Sequence, residues 1–481
     1  MKKEKSLFDN LILICLISML FLLFFSTSTS PLYKDYQDDS AIFITVGKML
    51  KDGKVLYKDI FDHKGPVFFF IEYIGQIIYS GRFGMFILQI ISMTFSLFML
   101  NKILSINTNK STLYSIILSL PLLAFFFEEG NLTEELSLPF ITLGLYIGFI
   151  WYSSNERYTK KIYLYGFCLG ILISLLAFIR LNNAIPLVGL VLGITILFIK
   201  DKKYKNLIGC IISFLIGLGI TTLIVLIYFI KNSAMTEMIY ATFIHNFMYF
   251  EKNASIINKL PGLIPIVVLL LVNIKNPKMN ILHYITAILS IIMGLFSRGF
   301  LHYYIINYPI SVIMLYLFLD NLKDNKDRFE RYFIKFILAL VLLTYLLLGI
   351  FMINKSFISN NALDNIISII PENERNSFLV YDSSISGVLY LDGNIFPAYK
   401  YAFMQSYLFA TNEDLIEKMN NDLKDNNIKW ILTENPNLSK GNKVDQYINE
   451  NYLLAGQDIL FIKNGNDIRE IPIYLYEKNN K

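Results

Sequence analysis

Long uncharged hydrophobic runs alternate with short polar segments along the first 354 residues of the chain. Each run is close to the length of about 20 apolar residues that a helix needs to cross a bilayer. The pattern predicts a polytopic α-helical membrane protein with about eleven transmembrane helices. The runs cover residues 10–33, 83–101, 111–127, 136–153, 162–179, 183–199, 206–230, 260–274, 281–297, 300–319 and 336–353.

One further apolar stretch, Gly65–Gly81, does not have the pattern of a span. It is short, it carries Glu72, and Pro66 stands near its beginning. Counting it as a span would reverse the orientation of every later loop. We therefore expect an interfacial or re-entrant helix on the outer side, covered by other parts of the protein. The outer loop over residues 31–82 is then the longest loop of the membrane part.

The charge distribution supports this threading. Only 17% of the residues are charged and 54% are hydrophobic, which excludes a disordered chain, a disulfide scaffold and an ordinary soluble enzyme. The predicted inner segments hold 19 Lys and Arg in 53 residues, against 12 in about 95 on the outer side. We expect a plasma-membrane protein with a cytoplasmic N-terminus. Basic clusters such as residues 200–205 are interpreted as topology signals, with binding of lipid headgroups as the alternative.

The C-terminal region, residues 355–481, differs from the membrane domain predicted over residues 1–354. It holds 12 basic and 17 acidic residues, a net charge of −5 that leaves +10 for the rest of the chain. An odd number of spans places it outside the cytoplasm. Short β-rich runs and one amphipathic helix, with Thr411 and Asp414 as a capping box, predict a small extracytoplasmic α/β accessory domain. The predicted strands are 377–382, 429–434, 458–462 and 473–476, and the helix is 412–426.

Ionisable and amide side chains collect at the predicted outer face, where function in membrane proteins is usually found. Adjacent carboxylates can supply a general base, and a lysine before a Gly-Pro helix start offers a cation and a helix N-terminus to a phosphate. This layout suits group transfer from a lipid phosphate. The candidate catalytic residues are Asp38 and Asp39; the candidates for donor phosphate are Lys64, Arg180, Arg298 and His302; the candidates for substrate are His63, Glu134, Glu135, Asn182 and Tyr303.

Aromatic residues near the predicted interfaces have a simpler interpretation. Tyrosine is favoured at the level of the lipid headgroups. We assign most of this group to such a belt: Tyr33, Tyr57, Tyr73, Tyr79, Tyr249 and Tyr303.

The first outer loop contains Asp38-Asp39-Ser-Ala-Ile-Phe, followed by Gly53-Lys-Val-Leu-Tyr-Lys-Asp-Ile-Phe-Asp-His-Lys-Gly-Pro66. This pair of elements resembles the first outer loop of the GT-C membrane glycosyltransferases. It is most similar to the bacterial branch of protein O-mannosyltransferases and lipid A aminoarabinose transferases, glycosyltransferase family 39. The resemblance covers roughly residues 8–354, with weaker similarity at residues 131–139, 180–183 and 297–304.

The resemblance implies an inverting enzyme that takes a sugar from a polyprenyl-phosphate donor at the outer face. Asp38 matches the catalytic base, Asp39 the second acidic position, and Lys64 the lysine that contacts the lipid phosphate. His63 and Gly65 stand where relatives carry Glu and Pro, so the donor's identity does not transfer.

The expected partners are the lipid-linked donor, a cell-envelope acceptor and membrane lipids, without nucleic acid; the oligomeric state stays open. A divalent cation between the carboxylates and the phosphate fits the chemistry, although no ligand spacing requires one. The alternative function is a transporter or flippase of lipid-linked sugars. Transporters usually carry ionisable residues near the bilayer midplane and related halves, neither of which is evident in this sequence.

Overall fold

The computed structural model describes most of the chain. The described residues are 2–33, 38–106, 113–155, 157–248, 255–325, 328–353, 357–358, 360–383, 385–392, 395–405, 409, 412–425, 427–464 and 467–479.

The described residues form a predominantly helical protein with a small sheet. The helices are α1 Lys2–Phe25, α2 Asp38–Lys51, α3 Pro66–Ile78, α4 Arg82–Leu104, α5 Leu113–Phe127, α6 Thr133–Ser153, α7 Lys161–Ile179, α8 Ile185–Lys200, α9 Tyr204–Lys231, α10 Met235–Ile239, α11 His245–Met248, α12 Ile256–Val272, α13 Ile281–Phe296, α14 Tyr308–Asn325, α15 Arg328–Ile353, α16 Asn360–Ile369, α17 Ser386–Asp392, α18 Glu413–Asp425 and α19 Lys443–Asn451. The strands are β1 Phe357–Ile358, β2 Phe378–Tyr381, β3 Trp430–Thr433, β4 Tyr452–Asn464 and β5 Asp467–Lys478.

Within the described residues, six helical segments are long and apolar enough to cross a membrane. They are Arg82–Leu104, Thr133–Ser153, Lys161–Ile179, Leu181–Lys200, Tyr204–Lys231 and Leu301–Leu322. The other five predicted runs fall on shorter apolar helices, and so does the Gly65–Gly81 stretch, at α3. The prediction of a helical, multi-pass membrane protein is therefore confirmed in its class. The number of about eleven spans stays a prediction.

Helix α1 ends before the end of the first uncharged hydrophobic run. The uncharged run reaches Tyr33, but α1 ends at Phe25 and the following Ser-Thr segment is not helical. Serine and threonine hydroxyls compete with the helix for backbone groups, as when the Leu32 N–H donates to Ser30 Oγ at 3.3 Å. Five successive hydroxyl residues therefore end the helix although none of them is charged.

The contacts divide the chain into two compact units. One comprises residues 1–26, 87–228 and 251–352, and the other residues 27–86, 229–250 and 353–481. The second unit thus contains both the predicted first outer loop and the C-terminal region, with α2 packed against α17 and the Phe61 N–H donating to Lys400 O at 2.8 Å. The predicted division into residues 1–354 and 355–481 groups these segments differently, and it stays a prediction.

The second unit is built around a five-stranded mixed sheet. Its order is β1-β4-β5-β3-β2, in which β2 and β3 are parallel and the other neighbours are antiparallel. Every side chain of β2 and β3 is buried, as expected for strands covered on both faces. The predicted strands fall on β2, β3, β4 and β5, of which the last two form a hairpin longer than predicted. The ends of β4 and β5 carry polar side chains, so the sequence pattern does not indicate how far the two strands extend.

The predicted amphipathic helix is confirmed as α18. Thr411 lies outside the described residues. Asn412 occupies the position before α18, and its Oδ1 accepts a hydrogen bond from the Leu415 N–H at 3.0 Å. An Asn side chain that accepts from the third helical N–H is a standard N-cap.

In the first unit, α7 and α9 meet through glycines. A Cβ atom on Gly170 would lie 2.1 Å from Phe214 O, and one on Gly217 would lie 2.1 Å from Phe167 O. Both distances are far below van der Waals contact, so the two backbones touch only because these positions lack a side chain. Small residues commonly permit this approach between helices in membranes.

We therefore expect Gly217→Leu to lower the thermal unfolding midpoint of the detergent-solubilised protein. Overpacking of this kind typically costs about 1–3 kcal/mol. Gly219→Leu is the matched control on the same helix, because a Cβ at Gly219 meets nothing within 4 Å. Equal midpoints for the two variants would contradict the close crossing.

Candidate functional site

The acidic pair lies at the start of α2, in the second unit. Asp38 is the first residue of this helix, and its side chain lies outside the described residues. Asp39 follows on the first turn, and its side chain is exposed. At least one carboxylate of the predicted pair is thus open to a ligand that approaches this end of the helix.

The His63-Lys64 element is a short turn that leads into α3. The Lys64 N–H donates to Asp62 Oδ1 at 2.8 Å, and Lys64 Nζ lies 3.2 Å from His63 Nε2. Lys64 Nζ also lies 5.2 Å from the centre of the Phe43 ring, which belongs to α2. The predicted phosphate-binding lysine therefore lies beside the helix that begins with the acidic pair.

Asp62 joins the two elements electrostatically. Burial raises the pKa of its carboxyl above the usual value, the Lys64 charge and its N–H lower this pKa, and the charge of Asp39 raises it again. Asp39 and Lys64 thus both act on one buried carboxyl. The acidic pair and the basic turn, formed by His63 and Lys64, therefore share one electrostatic environment. Asp62 was not among the predicted site residues, although it stands in the quoted motif.

Tyr57 holds the Lys64 backbone, a role that its place among the aromatic residues near the predicted interfaces did not indicate. Its side chain is fully buried, and its hydroxyl donates to Lys64 O at 2.5 Å. The ring stacks on Phe229 at 5.6 Å between centres. Its φ is +63°, a left-handed conformation that an aromatic residue rarely adopts. Such strain is maintained only where the surroundings demand it, here the ring stack and the carbonyl of the basic turn.

A second segment of the same unit supports the turn from the other side. Asn246 Nδ2 donates to His63 O at 2.8 Å, and also to the carbonyls of its own helical segment. The His245 ring is 1% exposed and packs against Phe61 and Tyr240 at 5.4 and 6.1 Å between centres. The neighbouring Tyr249 lies outside the described residues. The sequence pattern did not predict that His245 and Asn246 lie beside His63.

The first unit contains a separate charged cluster. Arg180 forms a hydrogen-bonded ion pair with the buried carboxylate of Glu134, and its guanidinium lies 4.2 Å from the centre of the Tyr303 ring. Glu134 stands in the first turn of α6, and Arg180 lies between α7 and the short 3-10 helix Leu181–Ala184. Three of the predicted residues are therefore in contact, and the Arg180 charge is balanced within the protein.

His302 and Glu128 form a second pair in this unit. His302 Nδ1 lies 2.5 Å from one Glu128 oxygen, and the other accepts from the Leu301 N–H at 3.1 Å. The Glu128 backbone is also left-handed, with φ +49°. This carboxylate fixes the start of the 3-10 helix Leu301–Asn307, and with it the position of Tyr303.

Glu135 has a different environment from its neighbour Glu134. Its two oxygens accept hydrogen bonds from Gln89 Nε2 at 2.8 and 3.0 Å, and the Asn131 N–H donates at 2.8 Å. The carboxylate is 2% exposed. These bonds tie α4 to the turn before α6, and they occupy the oxygens that were predicted to bind substrate.

The remaining predicted residues lie in the same unit. Asn182 is exposed and Arg298 is half-buried. Asn183 was not among the candidate site residues, yet it is buried and donates to Thr133 O at 3.1 Å and Ser137 Oγ at 2.8 Å. It therefore anchors the 3-10 helix beside the first turn of α6. No group of three His, Cys, Asp or Glu side chains within the described residues could hold a metal ion.

Comparison with protein-family models and with curated proteins finds no match.

The buried His245 predicts a pH dependence of stability. Burial and, to a smaller extent, the Lys64 charge lower its pKa to about 4. The unfolded chain therefore binds more protons between pH 6.5 and 4, so stability is lost as the pH falls through this window. We expect the unfolding midpoint of the solubilised protein to fall less between pH 7.5 and 5 in His245→Gln than in the wild type, corresponding to about 2 kcal/mol.

The control is His302→Gln, which removes the half-buried imidazole of the first unit. Asp62, whose raised pKa acts with the opposite sign, is present in all three proteins and cancels from the comparison. The same pH response in His245→Gln and in the wild type would contradict the lowered pKa of His245.

Proposed function

We propose that this protein is an inverting membrane glycosyltransferase that moves a sugar from a polyprenyl-phosphate donor to a cell-envelope acceptor. The reaction takes place at the outer face, in a protein of about eleven spans with a cytoplasmic N-terminus. One observation carries the proposal: the helix that begins with Asp38 and Asp39 lies against the Lys64 side chain, and Asp39 and Lys64 both act on the buried carboxyl of Asp62. The two halves of the first-loop pattern are thus neighbours.

The chemistry assigned to these residues is a single displacement. The Asp38 carboxylate takes the proton of the acceptor hydroxyl, and the oxygen attacks the anomeric carbon from the side opposite the phosphate. The bond between this carbon and the phosphate oxygen breaks, and its electron pair leaves with the polyprenyl phosphate. Asp39 orients the acceptor. The Lys64 ammonium stabilises the charge that develops on the leaving phosphate.

The basic turn is well suited to hold such a phosphate. Its Lys64 backbone is bound on both sides, since the N–H donates to Asp62 and the carbonyl accepts from Tyr57. His63 stands next to it, and its carbonyl accepts from Asn246. A cation whose backbone is held before the substrate arrives loses little entropy on binding, and preorganisation of this kind makes electrostatic catalysis effective.

The cluster of the first unit is assigned a supporting role. Arg180 is balanced by Glu134, so a phosphate would have to compete with this carboxylate for the guanidinium. Tyr303 lies on the other face of the same group. Within the first unit, we propose that Arg180, Arg298 and His302 are suited to bind a phosphate, and that Tyr303 and Asn182 contact substrate. Glu134 holds Arg180 in its orientation.

Variants of Asp38 and Lys64 test the proposed chemistry. In a deletion strain, Asp38→Asn should abolish transfer, because loss of a general base typically costs about 10²- to 10⁴-fold in rate. Lys64→Ala should raise the donor concentration needed for half-maximal transfer. The measurement is mass spectrometry of the cell-envelope glycans in strains that express each variant at equal membrane levels.

Asp52→Asn and Lys54→Ala are the matched controls, since both side chains are exposed on the turn that follows α2. Normal glycans in the Asp38→Asn strain would refute the mechanism. The flippase alternative is tested in the same strains. Loss of a transferase leaves the lipid-linked sugar at the outer face, where a membrane-impermeant glycosidase digests it, whereas loss of a flippase leaves it protected.

A single and a double variant separate phosphate binding by Arg180 from its structural role. Arg180→Gln alone leaves Glu134 buried and unpaired, which is expected to lower stability by about 3–5 kcal/mol. Glu134→Gln/Arg180→Gln removes both charges, and its unfolding midpoint should lie closer to that of the wild type. If the double variant folds but still needs more donor for half-maximal transfer, Arg180 acts on the phosphate. A donor requirement equal to that of the wild type would confine the pair to a structural role.

A further inference from the structure

A cavity lies among α6, α7, α8 and α9, apart from the residues of the candidate site. Its volume is about 280 Å³. Apolar side chains form almost the whole wall, which includes Trp151, Leu169, Val191, Phe198 and Phe214. All lining residues belong to the first unit. A space of this size with so few polar partners is unsuited to water and suited to hydrocarbon.

The cavity is open along α9. Ile211 and Leu215 line it, and their side chains are 46% and 56% exposed. Only 17% of the apolar part of α9 is buried inside the protein, so most of this helix faces its surroundings. For an apolar helix of membrane-spanning length, these surroundings are lipid chains. The occupant nearest at hand is therefore an acyl chain.

One end of the cavity is closed by aromatic rings. Trp151 stacks on Phe198 at 5.7 Å between centres, and Tyr158 meets the Phe198 ring edge-on at 5.3 Å. Two hydrogen bonds fix the connecting loop: Trp151 Nε1 donates to Arg157 O at 2.7 Å, and Asn206 Nδ2 donates to Tyr158 O at 3.1 Å. The last turns of α6 and α8 and the first turns of α7 and α9 are thus joined at this end.

The same end carries a dense basic rim. The described residues 157–161 and 200–205 contain seven basic side chains and one acidic side chain. The basic residues are Arg157, Lys160, Lys161, Lys200, Lys202, Lys203 and Lys205, and all but Arg157 are exposed. The acidic residue, Asp201, accepts a hydrogen bond from the Tyr158 hydroxyl at 2.5 Å. This rim is a strong site for an anion, and it stands directly beyond the aromatic end of the cavity.

We propose that this cavity and its rim bind one anionic phospholipid of the surrounding membrane. One acyl chain occupies the space between the four helices, and the phosphate-bearing headgroup lies on the basic rim. A zwitterionic headgroup brings no net charge to the rim, whereas an anionic one gains from each nearby lysine. This lipid site does not depend on the proposed glycosyl transfer. The basic rim then binds a headgroup in addition to serving as a topology signal.

Trp151 provides a direct test, because the chain has only two tryptophans and Trp151 lines the cavity. In a Trp430→Phe background, the full-length protein in detergent micelles is titrated with phosphatidylglycerol or phosphatidylcholine that carries bromine atoms on one acyl chain. Bromine quenches indole fluorescence only at short range. We expect saturable quenching by both lipids, with half-quenching by phosphatidylglycerol at an about fivefold lower mole fraction.

Two variants separate the headgroup from the chain. Lys200→Gln/Lys202→Gln/Lys205→Gln should remove the preference for phosphatidylglycerol and leave quenching by phosphatidylcholine unchanged. The control, Lys424→Gln/Lys440→Gln/Lys443→Gln, removes equal charge from the C-terminal region and should keep the preference. Val191→Phe should reduce quenching by both lipids because it fills the cavity. Val268→Phe, at a position 49% exposed on α12, should not.

Equal quenching by the two lipids in the wild type would overturn the proposal, and so would a preference that survives loss of the three rim lysines. Quenching that is unchanged in Val191→Phe would place the lipid chain outside the cavity and would overturn it as well. Gel filtration and the unfolding midpoint of each variant confirm that the protein compared is folded.

Discussion

The hydrogen bond from the Tyr57 hydroxyl to the Lys64 carbonyl is the contact on which the arrangement of the first outer loop depends. It fixes the backbone of the basic turn immediately before α3 begins, and Asp62 and Asn246 fix the same turn from two other sides. A flexible lysine on a flexible loop would sample many positions at a cost in entropy for every ligand bound. Here the backbone is held from three directions, and the side chain extends along a helix of the same unit. The left-handed conformation of Tyr57 is the strain that this arrangement tolerates.

The periodicity of the chain predicts much of the fold, because burial in lipid imposes a coarse and regular pattern. Every predicted hydrophobic run overlaps a helix, and the β-rich runs near residues 380, 431, 460 and 475 lie in one sheet. The features of the fold that were not predicted depend on single polar atoms at helix ends. A hydroxyl segment ended α1 before its composition changed, and the N-cap hydrogen bond of Asn412 at α18 was not predicted. Hydropathy averages over a window and is insensitive to such atoms.

The candidate residues were harder to predict for a different reason. A sequence shows which ionisable groups exist, but not which of them neutralise each other. Glu134 and Arg180 stand 46 positions apart, and only the fold pairs them. Glu135 and Glu134 are adjacent in sequence, yet one binds an amide and the other a guanidinium. The contact of Tyr57 was not predicted, because tyrosines near membrane interfaces are common, although the residue that it holds is only seven positions away. In an apolar protein, pairing decides which charges are left for a ligand.

The sheet of the second unit has a consequence for the order in which the protein is made. Its strand β5 lies between β3 and β4, although it follows both in the chain, and the same unit includes residues 27–86. The first outer loop therefore leaves the ribosome long before the strands that complete its unit. Until α17 has been synthesised, α2 lacks one of the helices against which it packs. Completion of this unit therefore follows synthesis of the helices encoded between its two segments.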